Sequence, residues 1–351
     1  MKNNWLINES DCVLITGANG FIGQRVLKIL IEYGFKKIRC LVRSSRNIQD
    51  LNQIANSSKV DIEFLHGTLM SYDDCLTATK DVSIIYHLAV GSGGKSFPNN
   101  FMNTVIPTRN LLETCIQNKS LKRFVNISSF AVYSNQEKPR WRILDESCPI
   151  EEHPEHRGDA YAFAKLKQDQ IVMEYGKQHN IQYVILRPGV VYGPGKSGVP
   201  GRIGIGTFGI FLHLGGSNIV PLTYVDNCAN AIVLAGIVKG VEGEVFNIID
   251  DDLPTSLKFL RLYKKKVHDF KSIYIPHAVS YLLFYLWEKY VTISKGQLPP
   301  IYCRKAWHAY WKKTRYSNDK IKNRLGWKMK VPVEEGLKNF FEYCLERNKN
   351  A

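Results

Sequence analysis

The sequence predicts an α/β fold built on a doubly wound parallel sheet, and three observations carry that prediction. Six short apolar runs, Cys12–Thr16, Ile38–Val42, Val60–Leu65, Ser83–Leu88, Phe124–Ile127 and Tyr183–Leu186, are partly β-branched, as strands buried on both faces require. Helical periodicity fills the gaps between them, over Phe21–Tyr33, Asn100–Gln117 and Tyr161–His179. Strand and helix alternate rather than segregate, which is the pattern of crossover units feeding one sheet. A Gly/Pro-rich stretch, Pro188–Gly216, then breaks the alternation. We therefore expect one domain over residues 1–188 and a smaller, mainly helical part over 189–351, some of whose segments return to the sheet. Helices are expected there over Asp226–Lys239, Ser256–Asp269, Pro276–Tyr290, Tyr302–Lys313 and Val333–Arg347.

Composition narrows the class. A chain of 351 residues can bury a large core, and 44% hydrophobic with 23% charged residues excludes a disordered chain. The formal net charge of +15 is unevenly spread: residues 1–255 hold 26 basic and 25 acidic side chains, residues 256–351 hold 21 and 7. An anionic partner is therefore expected at the C-terminal part. The eight cysteines are scattered without a CxxC pair or metal-ligand spacing, the pattern of a reducing compartment, and no metal is expected. The N-terminus lacks the apolar run of a signal peptide, and no apolar stretch is long enough to span a bilayer, so a cytoplasmic location is expected.

The first run leads straight into Thr16-Gly17-Ala18-Asn19-Gly20-Phe21-Ile22-Gly23 and a helix. Gly17 permits the tight strand-to-helix turn, Gly20 lets backbone approach a pyrophosphate, and Gly23 lets helix pack on strand. An anion there would sit on the helix N-terminus, where free N–H groups and the helix dipole favour it. Strand before and helix after favour a Rossmann-type dinucleotide turn over a glycine-rich loop with no ligand.

The TGxxGxxG spacing resembles that of the extended branch of the short-chain dehydrogenase/reductase superfamily, and further motifs follow in the same order. His87-Leu88-Ala89 closes the fourth strand, and Asn103 lies in Asn-Thr-Val-Ile-Pro-Thr, similar to the family's NxxGT with Pro107 at the usual glycine. Ser128-Ser129 closes the fifth strand, and Tyr161-Ala-Phe-Ala-Lys165 is a YxxxK pair. Arg187-Pro188-Gly-Val-Val191-Tyr192 follows the sixth strand, with Tyr224-Val225-Asp226 beyond it. The resemblance implies an NAD(P)-dependent oxidoreductase or sugar epimerase of the NAD-dependent epimerase/dehydratase type, and a homodimer through the helices near 100–117 and 161–179.

For the cofactor, the resemblance implies contacts from Gly17, Asn19, Gly20, Phe21, Ile22, Gly23, Thr68, Leu69, Leu88, Ala89, Asn103, Tyr161, Lys165, Pro188 and Val191. Thr68 stands where the family usually has Asp. The second strand ends in Arg43 with no acid, so a 2′-phosphate is accommodated there and NADP is favoured over NAD. The alternative is that Arg43 stacks on the adenine of either cofactor. Tyr161 and Lys165, four apart on a helix, share a face. A nearby ammonium is expected to lower the phenol pKa so that Tyr161 can move a proton while Lys165 holds the ribose; Ser129 completes the catalytic trio, with Ser128 pointing elsewhere. Dehydratases of this branch carry Asp-Glu directly after the Ser/Thr. Phe130-Ala131 stands there, which argues against 4,6-dehydratase activity.

The substrate end is less determined. A phosphorylated, anionic small molecule such as a nucleotide- or lipid-linked sugar, as in surface polysaccharide synthesis, suits Arg202 and the basic C-terminal part. Phe130, Tyr192 and the turn at Gly91 and Ser92 are further substrate candidates. The C-terminal part also resembles 3β-hydroxysteroid and sterol dehydrogenases, through Ile275-Pro276 and an apolar helix, and dihydroflavonol reductases form a third neighbour, which leaves a hydrophobic alcohol as an alternative substrate. Residues 272–287 lack any formal charge, and aromatic and basic residues interleave up to 330. That mixture fits either peripheral contact at the inner face of an anionic membrane or a helix packed on the substrate part. The enzyme-like site upstream argues against nucleic acid and against a non-enzymatic dinucleotide sensor.

Overall fold

A computed structural model describes residues 4–43, 48–58, 60–91, 96–136, 142–294, 297 and 302–349. In chain order the sheet half contains β1 (Cys12–Thr16), α1 (Gly23–Glu32), β2 (Lys37–Val42), α2 (Ile48–Asn56), β3 (Asp61–His66), α3 (Tyr72–Thr79) and β4 (Ile84–His87). It continues through α4 (Phe97–Asn100), a π-helical turn Phe101–Val105, α5 (Ile106–Gln117), β5 (Arg123–Ile127), the short β6 (Ile143–Leu144), α6 (Ala160–His179) and β7 (Tyr183–Pro188). The remainder comprises β8 (Val190–Tyr192), β9 (Gly204–Thr207), β10 (Ile210–His213), β11 (Leu222–Tyr224), α7 (Val225–Ile237), β12 (Val245–Ile248) and α8 (Ser256–Lys266). It closes with β13 (Ser272–Tyr274), α9 (His277–Ile293), α10 (Arg304–Tyr310), β14 (Arg315–Tyr316), α11 (Asp319–Leu325) and α12 (Val333–Lys349).

Seven strands form one parallel sheet in the order β12-β7-β5-β4-β1-β2-β3. The period of two explains why these strands read as apolar throughout. Val13, Ile15, Ile84, Tyr86, Val125, Val184 and Leu186 enter one core with Val26, Leu27 and Leu30 of α1 and Ile232 of α7. Their neighbours Leu14, Ile85, Phe124 and Ile185 enter the other, with Leu111 and Leu112 of α5 and Val172 of α6. The strand order reverses between β1 and β4, which opens a crevice at their carboxyl ends.

The C-terminal part carries strands that the expected, mainly helical layout did not name. β12 completes the main sheet beside β7, α7 packs beneath it, and β9, β10 and β13 form a three-stranded sheet. Periodicity hid these strands because each is only three or four residues long. Arg123 ties the two parts together. Fully buried, it donates to the carbonyls of Ala235 (3.0 Å), Gly236 (3.0 Å) and Val238 (2.5 Å) at the end of α7 and pairs with Glu242. A cation at a helix C-terminus meets the negative end of its dipole.

Two local features shape the crevice. Gly23 packs so tightly that a Cβ would lie 2.2 Å from the carbonyl oxygen of Gly17. Asn103 to Pro107 is one residue longer than NxxGT allows, and the π-helical turn absorbs the extra residue. We expect Gly23→Ala to force α1 away from β1 at a cost of about 1–3 kcal/mol, read as a lowered Tm and weakened dinucleotide binding; an unchanged Tm would contradict the tight packing.

Candidate active site

Two adjoining cavities occupy the crevice. The smaller, about 330 Å³, is lined by Gly17, Asn19, Gly20, Arg43, Thr68, Leu69, Leu88, Ala89 and Asn103. The larger, about 940 Å³, begins at Gly17, Gly20, Phe21, Ile22 and Gly23 and runs past Ser129, Tyr161, Lys165, Pro188 and Val191 to Arg202. Every residue expected to hold the cofactor thus lines one cavity or the other. Gly91 and Phe130 also line them, whereas Ser92 falls outside the described residues. Tyr192 does not line them: at 2% exposure it packs with Tyr224 and Phe340 in the C-terminal core, a correction to its expected substrate role.

The turn itself fits a dinucleotide pyrophosphate. Gly17 has φ +75°, and a Cβ there would come within 2.9 Å of the Ala89 nitrogen. The start of α1 carries no side-chain cap at Ile22, so its first amides are not taken by a capping side chain.

Ser129 and Tyr161 meet across the larger cavity. Ser129 Oγ accepts from the Ala131 amide at 3.1 Å and hydrogen-bonds with the Tyr161 phenol. Tyr161 begins α6, capped by Asp159 through the Ala162 amide at 2.9 Å, and is 40% exposed to the cavity. Ser128 turns the other way, donating to buried Asp169 at 2.7 Å. Asp169 also accepts from Asn126 (3.0 Å) and pairs with Arg187 (3.4 Å).

Lys165 is placed differently from the expectation. Its ammonium donates to the Ile127 carbonyl at 2.7 Å and to Gln168 Oε1 at 2.9 Å. Burial lowers its pKa to about 8, with Asp169 opposing the shift. The Tyr161 pKa is raised rather than lowered: desolvation dominates, and only the Ser129 hydroxyl acts against it. The i,i+4 spacing put both residues on one face, and two of the three N–H groups of the ammonium go to Ile127 and Gln168 rather than toward the phenol.

Behind Lys165 runs a chain of buried polar groups that sequence reasoning missed. Gln168 Nε2 donates to Thr108 Oγ1 (2.8 Å), and Thr108 donates its one proton to the Thr104 carbonyl (2.7 Å). His87 Nε2, 2.8 Å from Thr108 Oγ1, must then donate as well, leaving Nδ1 to accept from Thr16 Oγ1 at 2.8 Å. Burial, reinforced by Lys165, drops the His87 pKa to about 3, so the ring is neutral as this pattern demands. The His87-Leu-Ala motif and the threonine that ends the NxxGT-like motif, Thr108, were signals of this chain; Gln168 gave none.

The far wall is aromatic and basic. Tyr302, Tyr310 and Trp311 line it with Ile205, Lys196 and Arg202. The guanidinium groups of Arg157 and Arg202 lie 5.2 and 5.0 Å from the Tyr310 ring centroid, and the Tyr310 hydroxyl binds Asp159. The wall is therefore joined to the cap of the helix that carries Tyr161. Lys196 was missed although it follows the glycines of 193 and 195. Trp307, Trp311 and Trp327 are buried, the arrangement of the packed alternative for this region. Among the described residues, His153, Glu155 and His156 bring three ligand-type atoms within 4.8 Å of one another, but all are exposed and none lines the cavities.

Fold and site together define a dinucleotide-binding α/β protein with a Ser–Tyr pair and a lysine at the strand ends. The chain belongs to the NAD dependent epimerase/dehydratase family, whose model matches residues 13–248. It is 28% identical over 253 residues to a trifunctional UDP-glucose 4,6-dehydratase/UDP-4-keto-6-deoxy-D-glucose 3,5-epimerase/UDP-4-keto-L-rhamnose-reductase of Arabidopsis thaliana, covering 67% of this chain and 36% of that one. It thus spans about a third of the length of that plant relative. A sterol-4-alpha-carboxylate 3-dehydrogenase (decarboxylating) of Mus musculus is 23% identical over 346 residues, 94% of this chain and 90% of its own. The fold is shared with the UDP-glucose 4-epimerase of Thermotoga maritima, at a TM-score of 0.70 and 23% identity over 97% of this chain and 100% of that one.

The polar chain makes a prediction about Lys165. Gln168→Leu removes one of its two acceptors, so its pKa should fall further below about 8. Gln168→Glu adds a carboxylate and should raise it. The alkaline limb of the pH profile for NAD affinity should move down in the first variant and up in the second; superimposable profiles would remove Gln168 from control of Lys165.

Proposed function

We propose that this protein is an NAD(P)-dependent oxidoreductase or oxidation–reduction epimerase acting at a secondary alcohol or ketone of a nucleotide- or lipid-linked sugar. One observation carries the reading: a single cavity holds Ser129, Tyr161 and Lys165 between the glycine turn and the cations Lys196 and Arg202. A bound nicotinamide dinucleotide supplies the hydride donor or acceptor that no side chain offers. Gly17, Gly20 and Gly23 admit its pyrophosphate, while Asn19, Arg43, Thr68, Leu69, Ala89 and Asn103 surround its adenosine half. Phe21, Ile22, Leu88, Pro188 and Val191 border the nicotinamide half, and Lys165 holds the ribose.

Tyr161 gives or takes the proton at the reacting oxygen, and Ser129 donates to that same oxygen and fixes its position. With its pKa held up by burial, the phenol is protonated at neutral pH and is ready as an acid for ketone reduction. The apolar pair Phe130-Ala131 offers no acid or base for water elimination, so a 4,6-dehydratase step is not part of the reading.

Finer points belong to the same proposal. The absence of an acid after β2 and the position of Arg43 at the adenosine cavity favour NADP over NAD. Lys196 and Arg202 favour an anionic substrate, in keeping with surface polysaccharide synthesis. The scattered cysteines, none of them joined in a disulfide among the described residues, support a reducing, cytoplasmic setting. Exposed Met102 and Ile116 along the π-helical turn and α5 support a homodimer through α5 and α6. A second reading, a sterol-like or other hydrophobic alcohol, is favoured by the aromatic wall of Tyr302, Tyr310 and Trp311.

Two measurements test the reading. Tyr161→Phe should cut turnover by about 10²–10⁴-fold while dinucleotide affinity stays near wild type; full activity in that variant would sink the mechanism. A thermal-shift screen of NADP⁺ against NAD⁺, each with UDP-, GDP- and dTDP-sugars, should show the largest rise in Tm for NADP⁺ with one sugar nucleotide. A flat response to every sugar would transfer the proposal to the hydrophobic alcohol.

A further inference from the structure

Helix α9 is oriented with its leucines toward solvent. Its inner face holds His277, Ser280 and Phe284, anchored by Trp307 donating to Ser280 Oγ at 2.9 Å and by edge contacts of Phe284 with Tyr302 and Trp311. Its outer face carries Val279, Leu282, Leu283, Leu286, Tyr290 and Ile293, each between 46% and 76% exposed. These positions recur every three or four residues and so form one continuous stripe. The strand leading into the helix adds Ile273 and Tyr274, half exposed, and Phe208 at the tip of the neighbouring β9–β10 hairpin is fully exposed. Single exposed apolar residues are ordinary, but a contiguous stripe of this kind marks a contact surface.

Charge decides what meets it. The one acidic residue of α9, Glu288, is neutralised by Arg304, which donates to both carboxylate oxygens at 3.0 Å and again through its amide at 3.1 Å. Lys289 is exposed on the helix and Lys271 is exposed beside β13, while Lys264 at the end of α8 reaches Ser272 of β13 at 3.2 Å and is paired with Asp269 at 3.0 Å. Residues 256–351 hold 21 basic and 7 acidic side chains. A second copy would bring the same positive rim against itself, whereas an anionic bilayer complements it. Among the described residues no helix is long and apolar enough to cross a membrane, so α9 can only lie in the plane of the interface.

We propose that α9 docks this protein on an anionic lipid surface, with Val279, Leu282, Leu283, Leu286 and Ile293 entering the headgroup–acyl boundary. The inner face of the same helix packs on Tyr302 and Trp311, which line the larger cavity. Docking therefore places the aromatic wall of that cavity on the far side of a single helix, about 10 Å across, from the lipid, an arrangement that favours a substrate with a lipid portion. The surface stands independently of the catalytic reading, because binding to vesicles requires no turnover.

The test is co-sedimentation of the full chain with vesicles of phosphatidylcholine mixed with phosphatidylglycerol, beside vesicles of phosphatidylcholine alone. The protein should sediment with the mixed vesicles, less with the neutral ones, and less at high salt. Leu282→Glu with Leu286→Glu should lower the bound-to-free ratio at least ~10-fold, and the milder Leu282→Ser with Leu286→Ser should lower it in the same direction. Both variants should keep the thermal shift given by dinucleotide, which shows that they fold. Equal vesicle binding by wild type and variants overturns the proposal. So does a wild type that ignores vesicles but forms dimers that the variants dissociate, which would make the stripe a contact between copies.

Discussion

The buried polar belt beneath the strand ends is the constraint on which the rest depends. Thr16, His87, Thr108, Gln168 and Lys165 join β1, β4, α5 and α6, while Asn126, Ser128, Asp169 and Arg187 join β5, α6 and β7. In a dry interior each such group is costly if unpaired and strong if paired, so the belt admits only one relative placement of these elements. It fixes the height of α6 against the sheet and thereby the position of Tyr161 relative to Ser129.

Much of this was legible in the residues, and the limits have physical causes. Strands buried on both faces announce themselves as apolar runs, and the glycines of 17, 20 and 23 mark places where backbone meets backbone. Ser129, Tyr161 and Lys165 were legible through the family's motifs, and for Tyr161 and Lys165 the four-residue spacing also fixes the shared helix face. Spacing does not fix what a flexible side chain bonds to. The Lys165 ammonium reaches the Ile127 carbonyl, a partner that strand register creates. The wall of Lys196, Tyr302, Tyr310 and Trp311 gathers residues distant in sequence, and no local pattern links them. Tyr192 misled because a tyrosine just after a strand end can face the crevice or the second core, and only the packing of α12 on it decides.

The two halves communicate through the cap of α6. Asp159 accepts from the Ala162 amide, pairs with Arg157 and receives the Tyr310 hydroxyl. Arg157 in turn donates to the carbonyls of Ala131 and Tyr133 beside the Ser129 turn. The aromatic end of the cavity is therefore bonded to groups that hold both the Ser129 turn and the start of the Tyr161 helix. Burial raises the Tyr310 pKa to about 12, so this link remains a neutral hydroxyl over the physiological range.

The return of β12 to the sheet has a consequence for the chain as it leaves the ribosome. Six strands and their helices can assemble once β7 has emerged, yet β7 then presents an unpaired edge until Val245–Ile248 arrives to lie along Ile185–Pro188. Trp327, which packs in the same core as Val26 and Ile232 and donates to the Asn227 carbonyl at 3.1 Å, comes later still. Folding must proceed with an open strand and an incomplete core for much of synthesis, the interval in which edge-to-edge association competes with completion. Non-local parallel pairing makes that interval slow to close. The nascent protein is thus most vulnerable between the release of β7 and the arrival of Trp327, when shielding by a chaperone has the most to protect.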